Sequence, residues 1–130
     1  MQKVIAAGAV LAGLVHLVLV PEHLKEMPAL GVLFIVDSVA LVAAGLWLFV
    51  AERDDAAWAT AAVAGATATA YLVSRTIGLP VFGHEEWELL GVLTTLVEVA
   101  VALGATRLAF PTHPEMVMAP NTVRCDIDAR

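Results

Sequence analysis

Four uninterrupted apolar runs, at about 4–20, 29–51, 57–79 and 87–110, constrain this chain more than anything else in it. At 1.5 Å rise per residue, runs of roughly 17–24 residues reach about 26–36 Å, enough to cross a hydrocarbon core of about 30 Å. They are too long for strands and do not alternate between apolar and polar residues. The breaks between them are polar or helix-stopping. Pro21-Glu22-His23-Leu24-Lys25-Glu26-Met27-Pro28 follows the first, Glu52-Arg53-Asp54-Asp55 the second, and Pro80-Val81-Phe82-Gly83-His84-Glu85-Glu86 the third. The pattern predicts an all-α integral membrane four-helix bundle over residues 1–110, lying in a lipid bilayer. Composition agrees: 60% of residues are hydrophobic and 15% charged, against about 45–50% and about 25% in soluble domains.

The first run resembles a signal peptide, but no small-x-small cleavage site follows it, because Val20-Pro21-Glu22 comes directly after. It is expected to stay as the first span. Orientation follows the lysines and arginines. Lys3, Arg53, Arg107, Arg124 and Arg130 flank one side, whereas Lys25 lies on the other, with Arg75 just inside the membrane there. Both termini are therefore expected in the cytoplasm, in a plasma membrane, with the 21–28 and 80–86 loops outside. Pro111, Pro114, Pro120 and Asn121 disfavour helix in the tail, so residues 111–130 are expected to form a flexible extension.

The chain also reads as two repeated helical hairpins. Residues 26–33, EMPALGVL, align with 86–93, EWELLGVL, and Val39-Ala40 with Val99-Ala100; Pro21 matches Pro80 after a one-residue slip, which sets His16 opposite Arg75. Two copies pointing the same way would gather their outer loops on one side.

Ionisable groups inside spans are costly, about 2.5–3.5 kcal/mol for an Asp, Lys or Arg at a helix centre, and mark function or a packing solution. Here they are His16, Asp37, Arg75 and Glu98. Helical spacing adds Ser38 to the face of Asp37, Thr67, Tyr71 and Ser74 to that of Arg75, and Thr94 to that of Glu98. Together these residues suggest one intramembrane polar pocket opening outward. With His16 neutral, Asp37, Arg75 and Glu98 sum to one negative charge, so the site should neutralise itself by a proton, by charging His16, or by binding a cation. The expected pairing is Arg75 as fixed cation with Asp37 and Glu98 as partners.

A second candidate is the outer loop cluster. His23, His84, Glu22, Glu26 and Glu86 could ligate a divalent transition metal, although their spacing matches no tight motif. Haem is a poorer fit, because axial ligands must face each other from within spans. Trp47, Trp58 and Trp87 read as interfacial anchors. Ala9/Gly13, Ala61/Gly65/Thr69 and Ala100/Gly104 read as close helix packing, within the bundle or between copies in a homo-oligomer or with a membrane-protein partner.

A net charge of −6 with no basic stripe leaves nucleic acid without a docking surface. Cys125 is the one cysteine, so no internal disulfide forms. No nucleophile–base pair, phosphate loop or dinucleotide fingerprint is present, which speaks against an enzyme of soluble type.

The pattern His16-x6-His23 with Pro21-Glu22-His23, followed by Gly31 and Phe34, resembles small four-span bacterial membrane proteins of uncharacterised function. That resemblance covers residues 8–45 and implies fold and compartment only. Three functions stay open on the residues: a binding or transport-accessory protein with a proton or metal site, a structural or assembly subunit whose buried charges set helix register, and a redox protein holding haem or quinone.

Overall fold

The computed structural model describes residues 1–51, 53–78, 83 and 86–110. Four helices follow one another: α1 (Gln2–Glu26), α2 (Pro28–Val50), α3 (Asp54–Thr76) and α4 (Leu89–Ala109). All four are long and apolar enough to cross a membrane, and no strand forms among the described residues. The expected tail over 111–130, and His84 and Glu85 in the third loop, lie outside the described residues.

One expectation is corrected. The first span does not stop at Pro21; α1 runs through it to Glu26, and α2 starts at Pro28. A proline inside a helix removes one hydrogen bond and kinks it, a loss that membrane helices tolerate where neighbouring groups compensate. The turn between α1 and α2 is therefore Met27 alone, with φ −150° and ψ 97°. Met27 donates its amide to the His23 carbonyl at 2.8 Å, and its own carbonyl accepts from Leu30 at 3.0 Å and Gly31 at 3.1 Å. Pro28 at the first helical position suits its fixed φ and missing N–H. Glu22, His23 and Glu26 consequently sit on the last turns of a helix, not in a loop.

The bundle is inside-out relative to a soluble domain. Its interior is largely alanine, with Ala6, Ala9, Ala12, Ala44, Ala56, Ala57, Ala64 and Ala105 buried, while Leu11, Leu17, Val18, Val36, Val39, Leu96 and Leu103 point outward. Water would penalise such a surface; hydrocarbon does not, and small interior residues let helix backbones approach. The closest approach lies between α1 and α2. A Cβ at Gly13 would stand 2.9 Å from the Ser38 carbonyl oxygen and 3.1 Å from Leu41 Cβ, and one at Gly45 would stand 2.9 Å from the Ala6 carbonyl oxygen.

Side chains close the ends. Gln2 Nε2 donates to the carbonyls of Leu48 at 2.6 Å and Ala51 at 3.3 Å, satisfying acceptors that the end of α2 leaves open. Trp58 meets Phe110 edge-on at 4.7 Å, so the start of α3 and the end of α4 share that end of the bundle. Between α2 and α3, the buried Thr60 hydroxyl lies 3.1 Å from the Ala44 carbonyl and 2.8 Å from that of Ala56. Polar atoms inside the bundle thus reach across helices as well as along them.

Candidate functional site

Extending α1 to Glu26 moves His16 deeper than its distance from Pro21 suggests. Counted back from Met27, His16 is about as far from the turn as Asp37 is on the way out, roughly 15 Å of helix. Thr67 and Glu98 stand at comparable distances from the same ends of α3 and α4. One residue from each helix therefore meets at one level, near the middle of the spans.

His16 is the centre of this cluster. Its Nδ1 lies 2.9 Å from the Ala12 carbonyl oxygen. A carbonyl only accepts, so Nδ1 carries the hydrogen and Nε2 is left to face the bundle. Nε2 stands 3.5 Å from Asp37 Oδ2 and 3.5 Å from Glu98 Oε1. Asp37 is held from its other side, where Thr67 Oγ1 is 2.5 Å from Oδ1. The same Thr67 hydroxyl lies 3.0 Å from the Val63 carbonyl. A hydroxyl has one proton, and the short contact to a carboxylate is the stronger bond when Asp37 is ionised. If Asp37 binds a proton, it becomes the donor and Thr67 turns to Val63.

Glu98 is the most confined member. Its side chain is 1% exposed, and neither carboxyl oxygen has a hydrogen-bond partner among the described residues, nor does Asp37 Oδ2. Buried polar atoms without partners are uncommon in folded proteins. Two of them, Asp37 Oδ2 and Glu98 Oε1, lie 3.5 Å from the same imidazole nitrogen, an arrangement that can take up a proton. With an imidazolium and two carboxylates the cluster carries one net negative charge, and one further proton or monovalent cation neutralises it.

The expected pairing of Arg75 with these carboxylates is corrected. His16 takes that place, and Arg75 lies at the last turn of α3, with its guanidinium carbon 4.7 Å from the Tyr71 ring centre and Nη1 3.4 Å from Ser74 Oγ. A long side chain one residue from a helix end reaches toward the interface, not back to mid-span. Tyr71 in turn packs across Gly91 of α4, where a Cβ would come within 2.6 Å of its ring. The Trp87 ring meets it edge-on at 6.0 Å.

The other expected pocket residues divide. Ser38, Ser74 and Thr94 are buried, and their hydroxyls donate to carbonyls of their own helices, those of Phe34 at 2.7 Å, Tyr71 at 2.8 Å and Leu90 at 2.8 Å. Such bonds satisfy the hydroxyl locally. A cavity of about 370 Å³ adjoins the cluster, its floor formed by His16 and His23 of α1 and its walls by α2, α3 and the start of α4. Asp37, Thr67, Tyr71, Ser74, Arg75 and Thr94 line it, and Ser38 and Glu98 stand behind that lining.

Among the described residues, the metal ligands expected from sequence are not gathered into a site. Among the described residues no group of three or more His, Cys, Asp or Glu is placed to hold a metal ion. Glu22, Glu26 and Glu86 are exposed, and His84 lies outside the described residues. The His23 ring stacks on Phe34 at 4.1 Å, with Nδ1 on the Leu19 carbonyl at 2.9 Å. Phe34 also touches the His16 ring at 5.2 Å, so one aromatic side chain sets both imidazoles. They lie seven residues apart on one face of α1, about 10 Å along the axis, instead of opposing each other as axial haem ligands do.

Sequence reasoning missed Thr67 as the partner of Asp37 and Phe34 as the spacer between the histidines. The i, i+7 spacing of His16 and His23 was the available signal for the second. Comparison with protein-family models, with curated proteins and with solved structures returns no match, so the functional reading rests on the chemistry of this cluster.

Proposed function

We propose that this chain is a small multi-pass plasma-membrane protein of the binding or transport-accessory kind. It takes up and releases a proton at His16, Asp37 and Glu98, beside a polar cavity near the outer leaflet. The supporting observation is the His16 Nε2 atom standing 3.5 Å from each of two carboxylates, one of them 1% exposed. A fixed buried charge of this kind is expensive, whereas a group that exchanges a proton across that geometry has a reason to be kept there.

The test is infrared difference spectroscopy on the protein in liposomes, comparing mildly acidic with mildly alkaline buffer. A protonated-carboxyl band that changes with pH and shifts or vanishes in Glu98→Gln is the expected result. Superimposable spectra from wild type and Glu98→Gln would overturn the proton-site reading. They would favour a second one, for which the contacts joining α1, α2, α3 and α4 at one level also speak. In that reading the protein is an assembly subunit, and the cluster only fixes helix register.

Topology has its own check. With both termini cytoplasmic, Cys125 in the tail should resist a membrane-impermeant maleimide in intact cells and react once the cells are permeabilised. Labelling of intact cells would reverse the orientation.

A further inference from the structure

The cavity beside the cluster has a mouth as well as a floor. Leu33 and Val36 of α2, 50% and 60% exposed, contribute to its wall and also to the outer surface of the bundle. Ala66 and Ala70 do the same from α3. All four positions lie well inside their helices, at the level of hydrocarbon. The opening between α2 and α3 therefore faces acyl chains, and what enters by it is a molecule already dissolved in the membrane.

We infer that this cleft binds a lipophilic organic cation, which arrives from the bilayer and competes with the proton held by the cluster of His16, Asp37 and Glu98. The inference rests on the proton-site reading and names the class of molecule that the site exchanges for its proton. Charge selects the sign. Asp37 and Glu88 line the cavity and Glu98 stands behind His16, against Arg75 as the fixed cation of the lining, with His16 and His23 as the titratable rings. An anion would meet the carboxylates of Asp37 and Glu88 in the lining, and a neutral amphiphile would leave the cluster's net negative charge in place. A cation completes it.

Shape and surface agree. About 370 Å³ falls within the range of about 300–1,000 Å³ typical of small-molecule sites, and the aromatic rings of Phe34 and Tyr71 form part of its lining. Tyr71 already carries the Arg75 guanidinium on its ring, which shows that its face attracts positive charge. Thr67 supplies the adjustable part. When Asp37 is ionised the hydroxyl holds it, and when Asp37 is protonated the hydroxyl can turn to the Val63 carbonyl. Proton and organic cation then exclude each other in one cluster by charge alone, with no need for overlap in shape.

The experiment is equilibrium binding of tetraphenylphosphonium to the full chain in lipid nanodiscs, with decylubiquinone as the neutral control. Saturable binding is expected, weakening as the buffer is acidified, with a proton released per cation bound. Asp37→Asn should lower the affinity at least tenfold. Ala70→Trp, which plugs the mouth from an exposed position, should do the same while leaving the infrared carboxyl signal intact. That variant keeps the test decisive if Asp37→Asn fails to fold. No saturable binding, affinity unchanged in Ala70→Trp, or equal competition by decylubiquinone would overturn the inference. If tetraphenylphosphonium fails to bind while the carboxyl signal still titrates, the cation inference falls and the proton site stands. If the carboxyl signal is also absent, both fall.

Discussion

His16→Leu is expected to destabilise the protein by roughly 3–5 kcal/mol, the range for removing one partner from a buried charge pair. The imidazole separates Asp37 from Glu98 and lies 3.5 Å from both. Without it two carboxyls face each other across an apolar gap. The loss should appear as a lower unfolding midpoint in detergent. Adding Glu98→Gln to His16→Leu should recover most of the loss, because one carboxylate held by Thr67 is tolerable where two are not. If the double variant is as unstable as the single, the penalty comes from lost packing against Phe34 and not from charge.

Gly13→Val should also destabilise the protein, for an unrelated reason. A Cβ at position 13 would lie 2.9 Å from the Ser38 carbonyl oxygen and 2.8 Å from Val42 Cγ2. The first of these is backbone and cannot swing aside. Overpacking of this kind costs about 1–3 kcal/mol in ordinary cores and occasionally more. Here it also pushes α1 away from α2 at the level between Ala9 and His16, so the imidazole would be drawn off Asp37. Loss of the pH-dependent carboxyl band together with lowered stability is the expected outcome. A stable variant with an unaltered band would show that α1 and α2 can part at Gly13 without disturbing the cluster.

The span count was plain in the sequence because hydropathy over some 20 residues is a strong signal in which local errors cancel. The interior was harder to read. Pro21 looks like a stop, and the break after Val20 placed His16 too close to the membrane surface. A helix that continues through its proline lowers that histidine by more than a turn, to the level of Asp37 and Glu98. The charge inventory rightly demanded a cationic partner for the two carboxylates, and it chose Arg75 because arginine is always charged. Depth decided otherwise: Arg75 sits at the last turn of α3, and the titratable ring of α1 is the group within reach. The Thr67–Asp37 contact depends on how α3 is rotated against α2, which spacing within one helix does not determine. His23 drew attention as a ligand, but its contact with Phe34 is a matter of packing between neighbours in a tight turn.

That turn bears on biogenesis. With Met27 alone between α1 and α2, the polar residues Glu22, His23, Lys25 and Glu26 belong to the last turns of α1, and the link itself is one residue long. A link that short keeps the two helices side by side from the moment both have formed, and the close seam at Gly13 and Gly45 is available to zip them. An epitope tag spliced at Met27 would break the hydrogen bonds that join the two helix ends there, so the tolerant places for a reporter on this chain are elsewhere.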